Sequence, residues 1–157
     1  MSIESVREFL TGHGRAGDIL QTAGSSATVA EAAEAFGVEP ARIAKTLSFR
    51  GDSPDTCVLV VMAGDARTDN AAFKATFGRK ATMLRADEVE ALTGHPVGGV
   101  CPFANPANAA VHLDTSLKRF DTVFPAAGSA DSAIELTPAE LEDLSGAAGW
   151  VTVSRLP

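Results

Sequence analysis

Lys45 stands out within an alternating stretch. In "RIAKTLSFR", residues 42–50, Ile43, Lys45, Leu47 and Phe49 share one side of an extended strand, and Ala44, Thr46 and Ser48 share the other. The first side reads as the core side by its apolar content. An ammonium there must snorkel to the surface, lie at a cleft or meet an anion. Aimed into a pocket, it would hold a phosphate or a developing negative charge.

A second stretch with chemical potential is "HPVGGVCPFA", residues 95–104. Gly98 and Gly99 allow unusual dihedrals and close backbone approach, while Pro96 and Pro102 stiffen the two ends. Three readings are open: a plain turn, a thiol nucleophile at Cys101, or a backbone whose exposed amides polarise a carbonyl. A nucleophilic Cys101 needs a base and a lowered pKa. His95 is six residues away and His112 eleven, and neither spacing implies contact, so the residues favour a structural cysteine. No paired CxxC spacing occurs and His13, His95 and His112 are scattered, so no metal or other cofactor is expected.

The chain has 157 residues, 45% of them hydrophobic, which suits a single domain over residues 1–157 with an ordinary core. No apolar run approaches the roughly 20 residues of a membrane span. The N-terminus "MSIESVREFL" lacks the long apolar centre of a secretory signal, which with two cysteines, Cys57 and Cys101, points to a reducing cytoplasm. A net charge of −7 argues against coating nucleic acid along a whole face. The charge is uneven, however. Residues 67–85 hold Arg67, Lys74, Arg79, Lys80 and Arg85 against Asp69 alone, whereas residues 131–143 hold five acids and no base. These are either solvated faces or, for the basic segment, a local anion-binding rim.

Positioning these residues requires a defined set of elements. The pattern predicts helices over 2–12, 27–38 with Thr28 and Glu31 as a capping box and Gly37 just past the end, 69–78 between Asp69 and Gly78, 86–94, and 137–146 with Thr137 capping and Pro138 at the first position. Strands are expected over 18–22, 42–50, 56–64, 81–85, 109–114, 121–128, 132–136 and 149–154, with "GDSPD" as a hairpin-like connection. This order predicts an α+β domain with a mixed sheet.

The stretches "EAAEAFGVEPARIAKTLSFR", "GRKATMLRADEVEALTGHPVGGVCPF" and "LDTSLKRFDTVFPAAGSADSAIEL" follow one another as in the YbaK/EbsC family. That family is also called the prolyl-tRNA synthetase-associated, or INS-like, editing domain, and the chain resembles it over roughly residues 15–155. The "KTL" lysine strand and the G-x-x-x-P loop, here Gly98-Gly99-Val100-Cys101-Pro102, carry the resemblance most specifically. It implies a strongly curved mixed sheet flanked by helices. It also implies a free-standing, trans-acting deacylase that hydrolyses the ester joining a small, wrong amino acid to the 3′ end of a tRNA, of tRNA-Pro type.

By the same resemblance, Lys45 matches the functional lysine and residues 98–102 the substrate-positioning loop. Lys45, Gly98 and Gly99 would act at the ester without a protein nucleophile. Val100, Cys101, Pro102, Ala127 and Gly128 would contact substrate, and Arg79 and Lys80 would grip the acceptor end. A synthetase is a further candidate partner. Relatives that clear Cys-tRNA often show Ser-x-Gly where this chain has Ala126-Ala127-Gly128, which suggests a compact apolar pocket. Competing readings are a non-catalytic tRNA-binding or regulatory module of the same fold, and a Cys101-dependent hydrolase.

Overall fold

The computed structural model describes residues 2–22 and 28–157. Its centre is a hairpin. β2 (Ile43–Arg50) pairs antiparallel with β3 (Cys57–Ala63) without a break, from Ala44 opposite Ala63 to Arg50 opposite Cys57. The connecting "GDSPD" turn is held by the Ser53 amide donating to Thr56 Oγ1 at 3.1 Å. All seven residues of β3 are buried, as a continuous apolar run flanked on both faces should be.

Around this hairpin a five-stranded mixed sheet is ordered β6-β2-β3-β5-β8. β5 (Ala109–Asp114) runs parallel to β3, β6 (Phe124–Pro125) parallel to β2, and β8 (Trp150–Val151) parallel to β5. Two small antiparallel ribbons complete the strands. β1 (Ile19–Gln21) pairs with β7 (Ser132–Ile134), and β4 (Arg67–Thr68) with β9 (Ser154–Arg155).

The helices form where their caps put them. They are α1 (Ser2–Thr11), α2 (Val29–Phe36), α3 (Asn70–Phe77), α4 (Ala86–Thr93) and α5 (Pro138–Ser145). Thr28, Asp69 and Thr137 each accept a bond from the amide three residues on, satisfying one orphan donor per helix. Gly37, Gly78, Gly94 and Gly146 end their helices in the left-handed conformation. None of these helices is long and apolar enough to cross a membrane.

Val6, Leu10, Phe73, Leu92, Leu141 and Leu144 bury one side of the helices in the same core cluster as β3, each contributing on the order of 1.5–3 kcal/mol by the area removed from water. A second, smaller cluster joins α2 to β2, β6 and β7 through Ala33, Ile43, Phe124 and Ala133. The end of β3 is fixed from afar. Buried Asp114 accepts from the amides of Ser116 at 3.0 Å and Val153 at 2.8 Å and from Ser154 Oγ at 2.6 Å, and Ser116 Oγ accepts the Ala63 amide at 3.0 Å.

Three details differ from the sequence pattern. Residues 81–85 form no strand: Met83 makes one bridge to Phe49, and the extended chain touches β2 through the amides of Arg50 and Leu84 before turning into α4. The stretch 149–154 splits, because Asp114 takes the Val153 amide and so ends one strand pairing before the next begins. Along β2 both faces are covered. Ala44 and Ser48, on the side expected to be open, are buried as well.

Candidate functional site

A cavity of about 470 Å³ opens beside β2, in the size range of small-molecule sites. Its walls come from α2 and its cap (Thr28, Val29, Ala32, Phe36), β2 from Ile43 to Ser48, and the start of α4 with the segment before it (Met83, Leu84, Ala86, Val89). The turn at Val97, Gly98 and Val100, and the segment from Phe124 to Ala133, complete them.

Lys45 lines this cavity, half-buried. Its Nζ donates to the carbonyls of Gly64, at 3.3 Å, and Ala66, which occupies two of the three ammonium protons. Burial lowers its pKa below the ordinary lysine value; the neighbouring Asp65 carboxylate opposes that and Arg67 adds to it. Asp65 is itself held below the usual carboxylate range, chiefly by its bond from Arg119, with Nη2–Oδ1 at 2.6 Å and Nη1–Oδ2 at 3.2 Å.

Gly64 makes this cradle possible. A Cβ there would lie 2.1 Å from the Pro40 carbonyl oxygen and 2.7 Å from Val29 Cγ1. Sequence reasoning missed Gly64. Its signal, a glycine directly after a fully apolar strand, is a common one.

The glycine stretch is a type II turn. The Gly99 amide donates to the Pro96 carbonyl at 2.9 Å, Val97 takes the second position, and Gly98 takes the third with φ +91°. Gly99 has a different reason to be glycine: a Cβ there would lie 2.9 Å from the Gly128 carbonyl oxygen and 3.1 Å from Ser129 Cα. Because the Gly99 amide is spent on Pro96, it has no proton left to polarise a carbonyl. The amides of Gly98 and Val100 donate to no acceptor among the described residues, and both residues line the cavity. Of the two amides expected to face substrate, that of Gly98 is unspent and that of Gly99 is taken, while the Val100 amide is unspent as well.

Cys101 and Pro102 lie behind this turn, buried and off the cavity wall. Cys101 Sγ is 3.4 Å from His95 Nε2, a contact that the six-residue spacing did not imply. That nitrogen is also 2.7 Å from the Phe103 carbonyl oxygen, which can only accept. Nε2 therefore carries the proton and has no lone pair for the thiol. Burial pushes the thiol up to about 12 and holds His95 below the ordinary imidazole value. A shielded thiol with no free base beside it has the setting of a structural cysteine. Asn105, also missed, ties the stretch down through its Nδ2 bonds to the carbonyls of Thr93 at 2.8 Å and Cys101 at 3.0 Å.

Ala127 and Gly128 are buried under the turn, while Ala126, Ser129 and Ala130 beside them face the cavity. Thr46, in the β2 wall, carries a shielded hydroxyl with no hydrogen-bond partner.

The basic segment divides. Arg67 acts on Lys45, and Arg85 precedes cavity-lining Ala86 while pairing with Asp87 at 3.2 Å. Lys74 and Lys80 are exposed. Arg79 does not line the cavity. It donates to the carbonyls of Arg50 at 3.3 Å and Phe77 at 3.4 Å and borders a separate hollow of about 330 Å³ with Phe77 and His112.

The description of the aminoacyl-tRNA editing domain matches residues 23–144, which takes in every residue lining the larger cavity. The chain belongs to the aminoacyl-tRNA editing domain family. Within reach of this family, it is 52% identical to the uncharacterized protein YwhH of Bacillus subtilis, over 99% of this chain and 98% of that one. It is 28% identical to a protein of Enterococcus faecalis named as a candidate Cys-tRNA(Pro)/Cys-tRNA(Cys) deacylase, EbsC, over 72% of this chain and 69% of that one. Two crystal structures share the editing-domain fold. One, of the hypothetical protein APE2540, has a TM-score of 0.83 at 34% identity, covering 96% of this chain and 99% of that one. The other, of a candidate trans-editing enzyme for prolyl tRNA synthetase, has a TM-score of 0.86 at 28% identity, covering 98% and 97%.

Proposed function

We propose that this editing domain is a trans-acting aminoacyl-tRNA deacylase. It removes a small, wrong amino acid from a tRNA of the type charged with proline, without a protein nucleophile. The observation that carries this reading is the meeting of an ammonium and two unspent amides on one cavity that holds no activated nucleophile. Water attacks the ester carbonyl, the carbon–oxygen bond to the ribose breaks, and the ribose oxygen takes a proton. The Gly98 and Val100 amides hold the negative charge that builds on the carbonyl oxygen. Lys45 neutralises the terminal phosphate or orients the adenosine, and a second water or the ribose 2′-hydroxyl relays the proton. An aminoacyl ester is already activated, so positioning and polarisation are sufficient.

Gly99, Ala127 and Gly128 act by packing, since they set the turn against the segment behind it. Cys101 and Pro102 support the turn from within. Arg79 and Lys80 meet phosphates farther along the acceptor end, outside the cavity. The printed names of two relatives, a candidate Cys-tRNA deacylase and a candidate trans-editing enzyme for prolyl tRNA synthetase, support the substrate type, and a synthetase is the natural protein partner.

The test is single-turnover deacylation of proline-type tRNA mischarged with alanine, serine or cysteine, by the wild type and Cys101→Ser, with and without iodoacetamide. Turnover that survives both the substitution and the reagent is expected. Loss of turnover under both would install the thiol as nucleophile, and binding without turnover of any ester would leave a tRNA-binding module.

A further inference from the structure

Asp65 sits between Gly64 and Ala66, the residues whose carbonyls take two of the three protons on Lys45 Nζ. The third proton is the one left for a ligand. Asp65 is also the carboxylate whose charge acts on Lys45, while Arg67, the other charged group acting there, repels it. An anion carried on the cradle itself is the natural partner for that last proton, and a charge-assisted bond between them would close the lysine off. The ion pair that forms among the described residues is a different one, between Asp65 and Arg119.

Arg119 reaches Asp65 already oriented. It ends the short 3-10 helix Thr115–Arg119, and Ser116 of that helix accepts the Ala63 amide at 3.0 Å, one residue before the cradle. Arg119 Nε donates to the Ser116 carbonyl at 2.9 Å, and the guanidinium lies 4.8 Å from the centroid of the Phe120 ring. Nη1 and Nη2 then meet the two carboxylate oxygens at 3.2 and 2.6 Å, so both Asp65 oxygens are engaged. Both side chains are partly exposed, and a pair so placed adds little to stability. The fork is better explained by what it prevents.

We infer that Arg119 is a positioning residue for Lys45: by holding both oxygens of Asp65 it keeps the cradle's own carboxylate off the ammonium, which stays open to substrate. The inference rests on the deacylase reading and extends it to a pair that does not line the cavity. Its consequence is asymmetric. Removing Arg119 releases an anion beside the lysine, whereas removing the charge of Asp65 releases none. A pair that only clamps the fold predicts the same loss from either side.

The experiment measures kcat/KM on alanyl-, seryl- and cysteinyl-tRNA of the proline type for the wild type, Arg119→Ala, Asp65→Asn and the double variant, together with each protein's Tm. The two single variants lose the same ion pair, so their Tm values should fall together while their activities part. Arg119→Ala should lower kcat/KM roughly tenfold, the effect of one charge-assisted bond capturing the ammonium. Asp65→Asn should lose at most about threefold, and adding it to Arg119→Ala should bring activity back to that level. In a Lys45→Ala background, Arg119→Ala should cost nothing further. Arg119→Lys, which keeps a cation for Asp65, should retain most of the activity. Equal losses in the two single variants, or no recovery in the double variant, make the pair a structural clamp and overturn the inference while the deacylase reading stands. Full activity in Arg119→Ala overturns it as well. Should Arg119→Ala not fold, Arg119→Gln takes its place with the same expectations. A wild type inactive on every ester overturns the deacylase reading, and this inference with it.

Discussion

The Lys45 ammonium is oriented by two carbonyls that belong to the turn after β3, so its aim is set by backbone rather than by a flexible surface contact. Removing it takes one charge out of the cavity. Lys45→Ala should fold normally and lower single-turnover deacylation at least about tenfold, the effect of roughly 1.4 kcal/mol in the barrier. Full activity in a folded Lys45→Ala protein would take this residue out of the mechanism. At this scale the lysine was legible because a cation breaks an apolar pattern. Gly64 was not, because what forbids a side chain there is the carbonyl of Pro40, twenty-four positions earlier in the chain and brought close by folding. The contact between His95 and Cys101 was equally hidden. A six-residue spacing reaches many places until Asn105 and Thr93 pin the stretch.

Among the elements, the turn at 96–99 shows two glycines kept for unrelated reasons, one by its φ of +91° and one by the backbone that presses against it. The two should respond differently to substitution. At Gly98 an added Cβ meets Ala130 at 3.8 Å, an ordinary contact, so Gly98→Ala should carry the cost of left-handed backbone alone, about 1–2 kcal/mol. Gly99→Val must push the Gly128 segment away. It should lose more stability by thermal unfolding and nearly all turnover. Equal, small losses in the two variants would show that the turn does not rest on the segment behind it. Helix positions were legible here because caps are local: Thr28, Asp69 and Thr137 each act within three residues. The stretch 81–85 was misread as a strand because its alternation suits one, whereas its pairing is limited to what the edge of β2 leaves open.

For the whole molecule, burial sets a pH limit. His95 and His112 are both held below the ordinary imidazole value of 6.5 by burial, so the unfolded chain takes up protons first as pH falls. The stability they contribute is present above 6.5 and is lost as pH falls through their folded values. The Tm should drop as pH falls below about 6.5, above the range in which Asp65 and Glu140 are protonated. His95→Gln, which keeps a donor for the Phe103 carbonyl, should flatten that drop. A profile identical to the wild type would assign the loss elsewhere.

Charge is the other property of the whole molecule. An acidic chain of net charge −7 that engages a few phosphates should bind tRNA weakly, with a shallow dependence on salt. Replacing Arg79 and Lys80 together by Ala should flatten that slope while leaving turnover at saturation intact. Unchanged slopes across a salt series would reduce the pair to a solvated face. The fold class was legible at this scale, since helix and strand periods separate cleanly along the chain. The division of the basic segment was not, because Arg79 turns back onto the carbonyls of Arg50 and Phe77.

The hydrogen-bond chain that runs from Val153 and Ser154 through Asp114 and Ser116 to the end of β3 also sets an order of events in time. During synthesis the residues that line the cavity precede Val153 and Ser154, which must reach Asp114 before the cradle is anchored. Until they do, the central hairpin carries the cation without that anchor, so the cradle sets after the hairpin has paired. A protein ending at Thr152 should keep most of its helix signal by circular dichroism yet deacylate poorly, and full turnover from that truncated chain would show that the cradle needs no such anchor.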